Sequence, residues 1–99
     1  SNSIQVDSIT LQKIFDLNNI EKCNLLKLDC EGSEYEIIDS LPESYFSMID
    51  KMIIEYHFAE KYPKLLTNLI KKLERTSFSV DVKKLSGDMG LIFAIKPTD

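Results

Sequence analysis

Hydrophobic and polar positions along this chain change period several times, and each change marks an expected element. Ile4 and Val6 alternate with polar residues and predict the start or border of a strand. Leu11, Ile14 and Phe15 then share a helical face, with Asp7, Ser8 and Thr10 as candidate N-caps and Asn18-Asn19 as the stop. An apolar run over residues 24–29, interrupted only by Lys27, predicts a strand. Helical spacing returns at Tyr35, Ile38 and Leu41 and ends at Pro42, after which Tyr45, Phe46 and Ile49 are expected to pack inward. A second apolar run, rich in isoleucine and methionine, predicts a strand over 51–57.

Pro63 suits the first turn of a helix, where a missing N–H costs nothing. Leu65, Leu66, Leu69, Ile70 and Leu73 follow with a 3.6-residue period, and Lys71 and Lys72 lie off that face. Residues 78–82 alternate strictly and predict a half-buried strand. Ser86-Gly87-Asp88 supplies turn chemistry, and 91–95 reads as the partner strand, ended by Pro97. Helix, strand, helix, strand, helix, strand, strand is the order of a three-layer α/β domain. It predicts a mostly parallel sheet with helices on its faces and one antiparallel terminal strand.

At 99 residues the chain is long enough for one small domain, and 43% apolar with 28% charged residues is an ordinary globular composition. The net charge of -4, from 16 acidic and 12 basic side chains, argues against nucleic acid as a partner. Lys71, Lys72 and Arg75, and Lys83-Lys84, adjoin no aromatic stacking platform, and tryptophan is absent. No apolar run approaches the roughly 20 residues of a membrane helix, so no membrane role is expected. Cys23 and Cys30 allow at most one bridge, and without neighbouring Cys or His they make no structural zinc site. The expected setting is the cytoplasm.

Chemistry concentrates where the two apolar runs stop. Asp29 ends the first, with Glu31, Gly32 and Glu34 around the turn that follows. Carboxylates at a strand's carboxyl end can bind a divalent cation, accept hydrogen bonds from a polar ligand, or act as a base. The structural alternative has Asp29 capping the next helix and Glu31 and Glu34 complementing its positive end. Glu55 and His57 end the second run and point the same way on a regular strand, so they form a candidate proton-transfer pair. His57 is the only histidine, and Tyr56 is expected to face the core. No G-x-S-x-G elbow or phosphate-cradling glycine string is present.

At these residues the chain resembles part of the FkbM-type family of S-adenosylmethionine-dependent methyltransferases. The likeness begins at Ser8-Ile9-Thr10-Leu11, is strongest from Leu26 to Glu34, and resumes at Ile53-Ile54-Glu55-Tyr56-His57. It implies the later strands of a seven-stranded Rossmann-like sheet whose last strand is reversed. It further implies that Asp29 and Glu31 border the methyl-transfer site, with Asp29 also touching the cofactor. Glu55 and His57 would stand across the pocket as acceptor-binding or acid–base residues. The implied cofactor is S-adenosylmethionine, the implied acceptor a small-molecule or sugar hydroxyl, and the implied reaction O-methylation.

The family's Gly-rich loop after its first strand, and the acidic residue after its second, have no counterpart among these residues. The chain is therefore expected to be one partial domain over 1–99, the C-terminal half of such an enzyme, binding cofactor weakly or not at all and inactive alone. The strand at 24–29 would then be an exposed edge, through which the chain could form a homodimer. The competing class is a non-catalytic α/β interaction or regulatory module whose sheet edge receives a partner strand. A third reading is a divalent metal site using Asp29, Glu31 or Glu34, and His57.

Overall fold

A computed structural model describes residues 3–6, 11–29 and 31–97. In chain order the elements are β1 (Ser3–Val6), α1 (Leu11–Leu17), β2 (Cys23–Leu28), α2 (Glu34–Ser40) and α3 (Glu43–Phe46). They continue with β3 (Ile49–Tyr56), α4 (Pro63–Arg75), β4 (Ser79–Lys84) and β5 (Gly90–Ile95). Every strand and helix read from periodicity is present, with Pro63 at the first turn of α4. The candidate caps Asp7, Ser8 and Thr10, and the thiol Cys30, lie outside the described residues.

The sheet runs β1-β2-β3-β5-β4 and is mixed, which corrects the expectation of a mostly parallel one. β1 pairs parallel with β2 and β2 parallel with β3, whereas β5 pairs antiparallel with both β3 and β4. The antiparallel ladders are the longer ones. The reason is topological: the reversed strand β5 inserts between β3 and β4 instead of adding to the outside of the sheet, so one reversal creates two antiparallel ladders. A second correction concerns β2. It is not an edge, because β1 covers its free side from Ser3 opposite Leu25 to Val6 opposite Leu28. The basis for dimerisation through that strand is thereby removed.

Strand alternation sends Leu26, Leu28, Met52, Ile54, Tyr56, Ile92 and Ala94 into a single core. Ile38 of α2, Phe46 of α3, and Leu69 and Leu73 of α4 close over it, all nearly inaccessible to solvent. Each such side chain contributes about 1.5–3 kcal/mol by leaving water. The alternate positions are not sealed in the same way: Lys27, Ile53, Leu91 and Phe93 line an open cleft. Among the described residues the domain therefore has a sheet and one helical layer, in place of three layers.

Three details of side-chain placement depart from the periodic reading. Lys72 is buried, and its ammonium donates to the carbonyls of Asp39 (2.7 Å) and Leu41 (2.8 Å). It thus satisfies acceptors that the end of α2 leaves without helical partners. Leu65, in the first turn of α4, is exposed. β4 is mostly solvated, with only Val80 partly buried, since it forms the outer edge. A lysine stripe and exposed alternation on an edge strand discourage further strand pairing.

Candidate active site at the carboxyl edge of β2 and β3

Because β2 and β3 are parallel, both deliver their carboxyl ends to the same edge of the sheet. The register pairs Leu28 with Ile54, so the next step brings Asp29 beside Glu55. After Asp29 the chain turns sharply into α2 through two left-handed residues, Glu31 (φ +44°) and Gly32 (φ +105°). Glycine adopts that conformation freely, and its bare Cα also makes room for the loop after β3. A Cβ on Gly32 would lie 2.8 Å from Cε2 of Phe58. Phe58 is itself left-handed (φ +58°), uncommon for a bulky residue. Its loop is tied down by the β4–β5 turn: Ala59 N–H donates to the Asp88 carbonyl (2.9 Å) and Glu60 N–H to Asp88 Oδ1 (3.2 Å).

Glu34, the first residue of α2, is fully buried and joins the two strand ends. Its Oε1 accepts from the Gly32 N–H at 2.8 Å. Its Oε2 accepts from the His57 N–H at 2.8 Å and lies 3.1 Å from His57 Nδ1. The other ring nitrogen, Nε2, is 3.0 Å from Glu55 Oε2. One imidazole thus bridges a buried carboxylate and a partly exposed one. The Tyr35 hydroxyl donates to the His57 carbonyl, fixing the same residue from a third direction. A buried carboxylate is tolerated only when its lone pairs are filled, and this one has three donors.

These surroundings set the protonation states. Burial, the largest influence on the His57 ring, works to lower its pKa. The hydrogen bonds and charges of Glu34, then of Glu55, together outweigh it and hold the ring above its ordinary 6.5. Tyr35 is pushed up to about 12, first by burial and then by the nearby Glu34 carboxylate, so its hydroxyl stays a donor. Cys23 stands apart: burial raises its pKa, and its thiol donates to the Leu25 carbonyl at 3.4 Å.

Asp29, Glu55 and His57 each place one ligand atom within 4.8 Å of the others. Asp29 and Glu55 also line a cleft of about 350 Å³ whose wall is formed by Ile53, Leu91 and Phe93, with Lys27 alongside. A slightly larger cleft of about 380 Å³ lies between α2 and α4, bounded by Tyr35, Asp39, Leu65 and Lys72. The convergent carboxylates line the former, and the imidazole joins it through Glu55, so it is the candidate site.

Of the residues singled out from sequence, Asp29, Glu55 and His57 converge, while Glu31 sits exposed in the turn and outside that trio. Asp29 makes no helix cap: Ser33 occupies the N-cap position of α2, without a side-chain cap bond. Glu34 does stand at the helix start, but its chief partner is His57. Sequence reasoning missed Phe58 and Asp88. Asp88 was visible only as turn chemistry, and no local pattern marks Phe58.

The fold and the site define an α/β domain with an acid–base cluster at the joint carboxyl edge of two parallel strands. The model of the FkbM methyltransferase domain matches residues 1–80, and the chain belongs to that family. It is also similar to Methyltransferase 1 of Beauveria bassiana (strain ARSEF 2860), with 30% identity over 56 residues. That alignment covers 56% of this chain and 22% of the relative, so the chain corresponds to only part of that protein's length. No solved structure matches it. The family match ends just inside β4, leaving most of the β4–β5 hairpin outside it.

Proposed function

We propose that this domain forms the acceptor side of an S-adenosylmethionine-dependent methyltransferase acting on a hydroxyl group of a small molecule or sugar. The observation that carries the reading is the Glu34–His57–Glu55 relay, held at the end of two parallel strands and opening beside Asp29 onto a cleft. Membership of the FkbM family supports methyl transfer as the reaction class.

The residues fit one portion of the cofactor. Asp29 and Glu55 present negative charge to a cleft with an apolar wall, a setting suited to a sulfonium or ammonium group. They do not provide an anion nest for its carboxylate, because the Gly32 N–H in the turn is already donated to Glu34. When bound, the cofactor supplies the methyl group. The chain's own residues orient the acceptor and manage its proton.

An acceptor hydroxyl seated between Asp29 and Glu55 is oriented by hydrogen bonds to both carboxylates. Its proton passes to the Glu55–His57 pair once the ring is neutral, with Glu34 fixing which nitrogen faces the site. Since the ring's pKa lies above 6.5, this base function grows as pH rises through that raised value. Transfer assays on the complete protein that contains this domain, with methyl-labelled cofactor and a panel of sugar and phenolic hydroxyls, test the reading. His57→Ala and Asp29→Asn are each expected to lower turnover by about 10²-fold or more without loss of fold. Wild-type turnover in both variants would contradict the assigned roles.

A further inference from the structure

The cluster formed by the two cleft-lining carboxylates and His57 has a second property, independent of whether a methyl group is transferred. We propose that Asp29, Glu55 and His57 form a binding site for a divalent first-row transition ion, for which Mn²⁺ is the probe. Two carboxylate oxygens and one imidazole nitrogen are a donor set suited to such ions.

The geometry comes from the adjoining ends of two parallel strands, with Asp29 just after β2, Glu55 near the end of β3 and His57 just beyond it. Their ligand atoms lie within 4.8 Å of one another, wider than the roughly 3–3.6 Å between neighbouring donors on an ion whose bonds are each about 2.0–2.2 Å. The remaining closure falls to Asp29, which is exposed, and to Glu55, whose side chain is 31% accessible. Both can rotate at little cost.

What distinguishes this from a patch of surface acid is the histidine and the residue behind it. Glu34 lies outside the trio, fully buried, and is itself fixed by the backbone N–H groups of Gly32 and His57. By engaging Nδ1 it leaves Nε2 as the nitrogen that faces Glu55 and Asp29. A carboxylate behind a ligating imidazole orients the ring and raises its basicity, and its loss commonly costs metal proteins tenfold or more in affinity. The cleft beside the trio leaves room for water or an acceptor oxygen to complete the coordination. Its one lining cation, Lys27, is exposed and competes through charge alone.

Ion binding displaces the Nε2 proton to solvent, so the ion takes that proton's place between His57 and Glu55. Within the methyltransferase reading, an acceptor hydroxyl on the ion would become more acidic. Only that use rests on the reading; the binding does not.

The test is a Mn²⁺ titration of the purified protein with neither methyl donor nor acceptor present, following the spin-resonance signal of free ion. One saturable site per chain is expected. Asp29→Asn and Glu55→Gln should each raise Kd about tenfold or more, and Glu34→Gln by about tenfold where circular dichroism shows a native fold. Asp81→Asn, on the distant edge strand, should leave it unchanged. Absence of saturable binding at millimolar Mn²⁺, or equal affinity in the Asp29 and Glu55 variants, overturns the site. A complete protein containing this domain that binds the ion through these residues yet transfers no methyl group would refute the proposed function and leave this inference standing.

Discussion

Two charged side chains are buried among the described residues, and they serve opposite ends of the short helix α2. Lys72 reaches from α4 to the carbonyls of Asp39 and Leu41, groups that cannot titrate. Burial, its largest influence, pushes the ammonium's pKa down, while Asp39 and Glu43 act in the other direction. Its role is structural: it joins α4 to the end of α2 and lies over the Phe46 ring of α3. Glu34 makes the same kind of backbone bonds, but it also engages a histidine whose other nitrogen meets Glu55, a residue that lines a cleft. Burial of charge is therefore no mark of function by itself. The mark is whether the buried charge has a titratable partner that reaches a cavity.

Substitutions sharpen that contrast. Glu34→Ala should have the largest effect, about 3–5 kcal/mol lost in urea unfolding, because two backbone N–H groups and the imidazole lose their partner. Stability within 1 kcal/mol of wild type would show that water replaces the carboxylate easily. Lys72→Met keeps most of the packing but strands two carbonyls, and should cost about 1–3 kcal/mol. The His57 titration should not move in this variant. A displaced titration would mean that the two buried charges are coupled and the comparison fails.

Gly32→Ala has the smallest expected cost, about 1–2 kcal/mol, from left-handed backbone and from contact with Phe58. Its effect should be concentrated at the site, through displacement of the loop that follows His57. A pairing of Gly32→Ala with Phe58→Ala tests this: relief of the clash should recover part of the loss, leaving the backbone strain. Full additivity in a double-mutant cycle would place the whole cost in the backbone.

Periodicity made most elements legible, since the 2.0 and 3.6 repeats are written in residues such as Val80, Ile54, Leu69 and Leu73. The ends of β2 and β3 were legible for a related reason. Polar residues that terminate apolar runs must face solvent or one another, so Asp29, Glu55 and His57 could be singled out. Sheet order was not legible. Nothing local tells β5 to insert between β3 and β4, because that placement depends on which edge is free when the hairpin docks. The fates of Lys72 and Glu34 were hidden as well. Each is buried by partners more than twenty residues away, and an isolated charge in a helical repeat reads as solvent-facing. The site was therefore recognisable from its rim, while its buried support appears only in three dimensions.

The central claim is that Glu34 and Glu55 hold His57 as a proton-binding group at the cleft. In linkage terms, a ring whose folded pKa is raised contributes stability that is fully present below 6.5 and is lost as pH rises through the folded value. The most direct measurement is a proton NMR titration of the ring of His57, the only histidine in the chain. The account predicts a midpoint above 6.5 in the wild-type protein and a lower one in Glu34→Gln. A wild-type midpoint at or below 6.5, unchanged by Glu34→Gln, would contradict it.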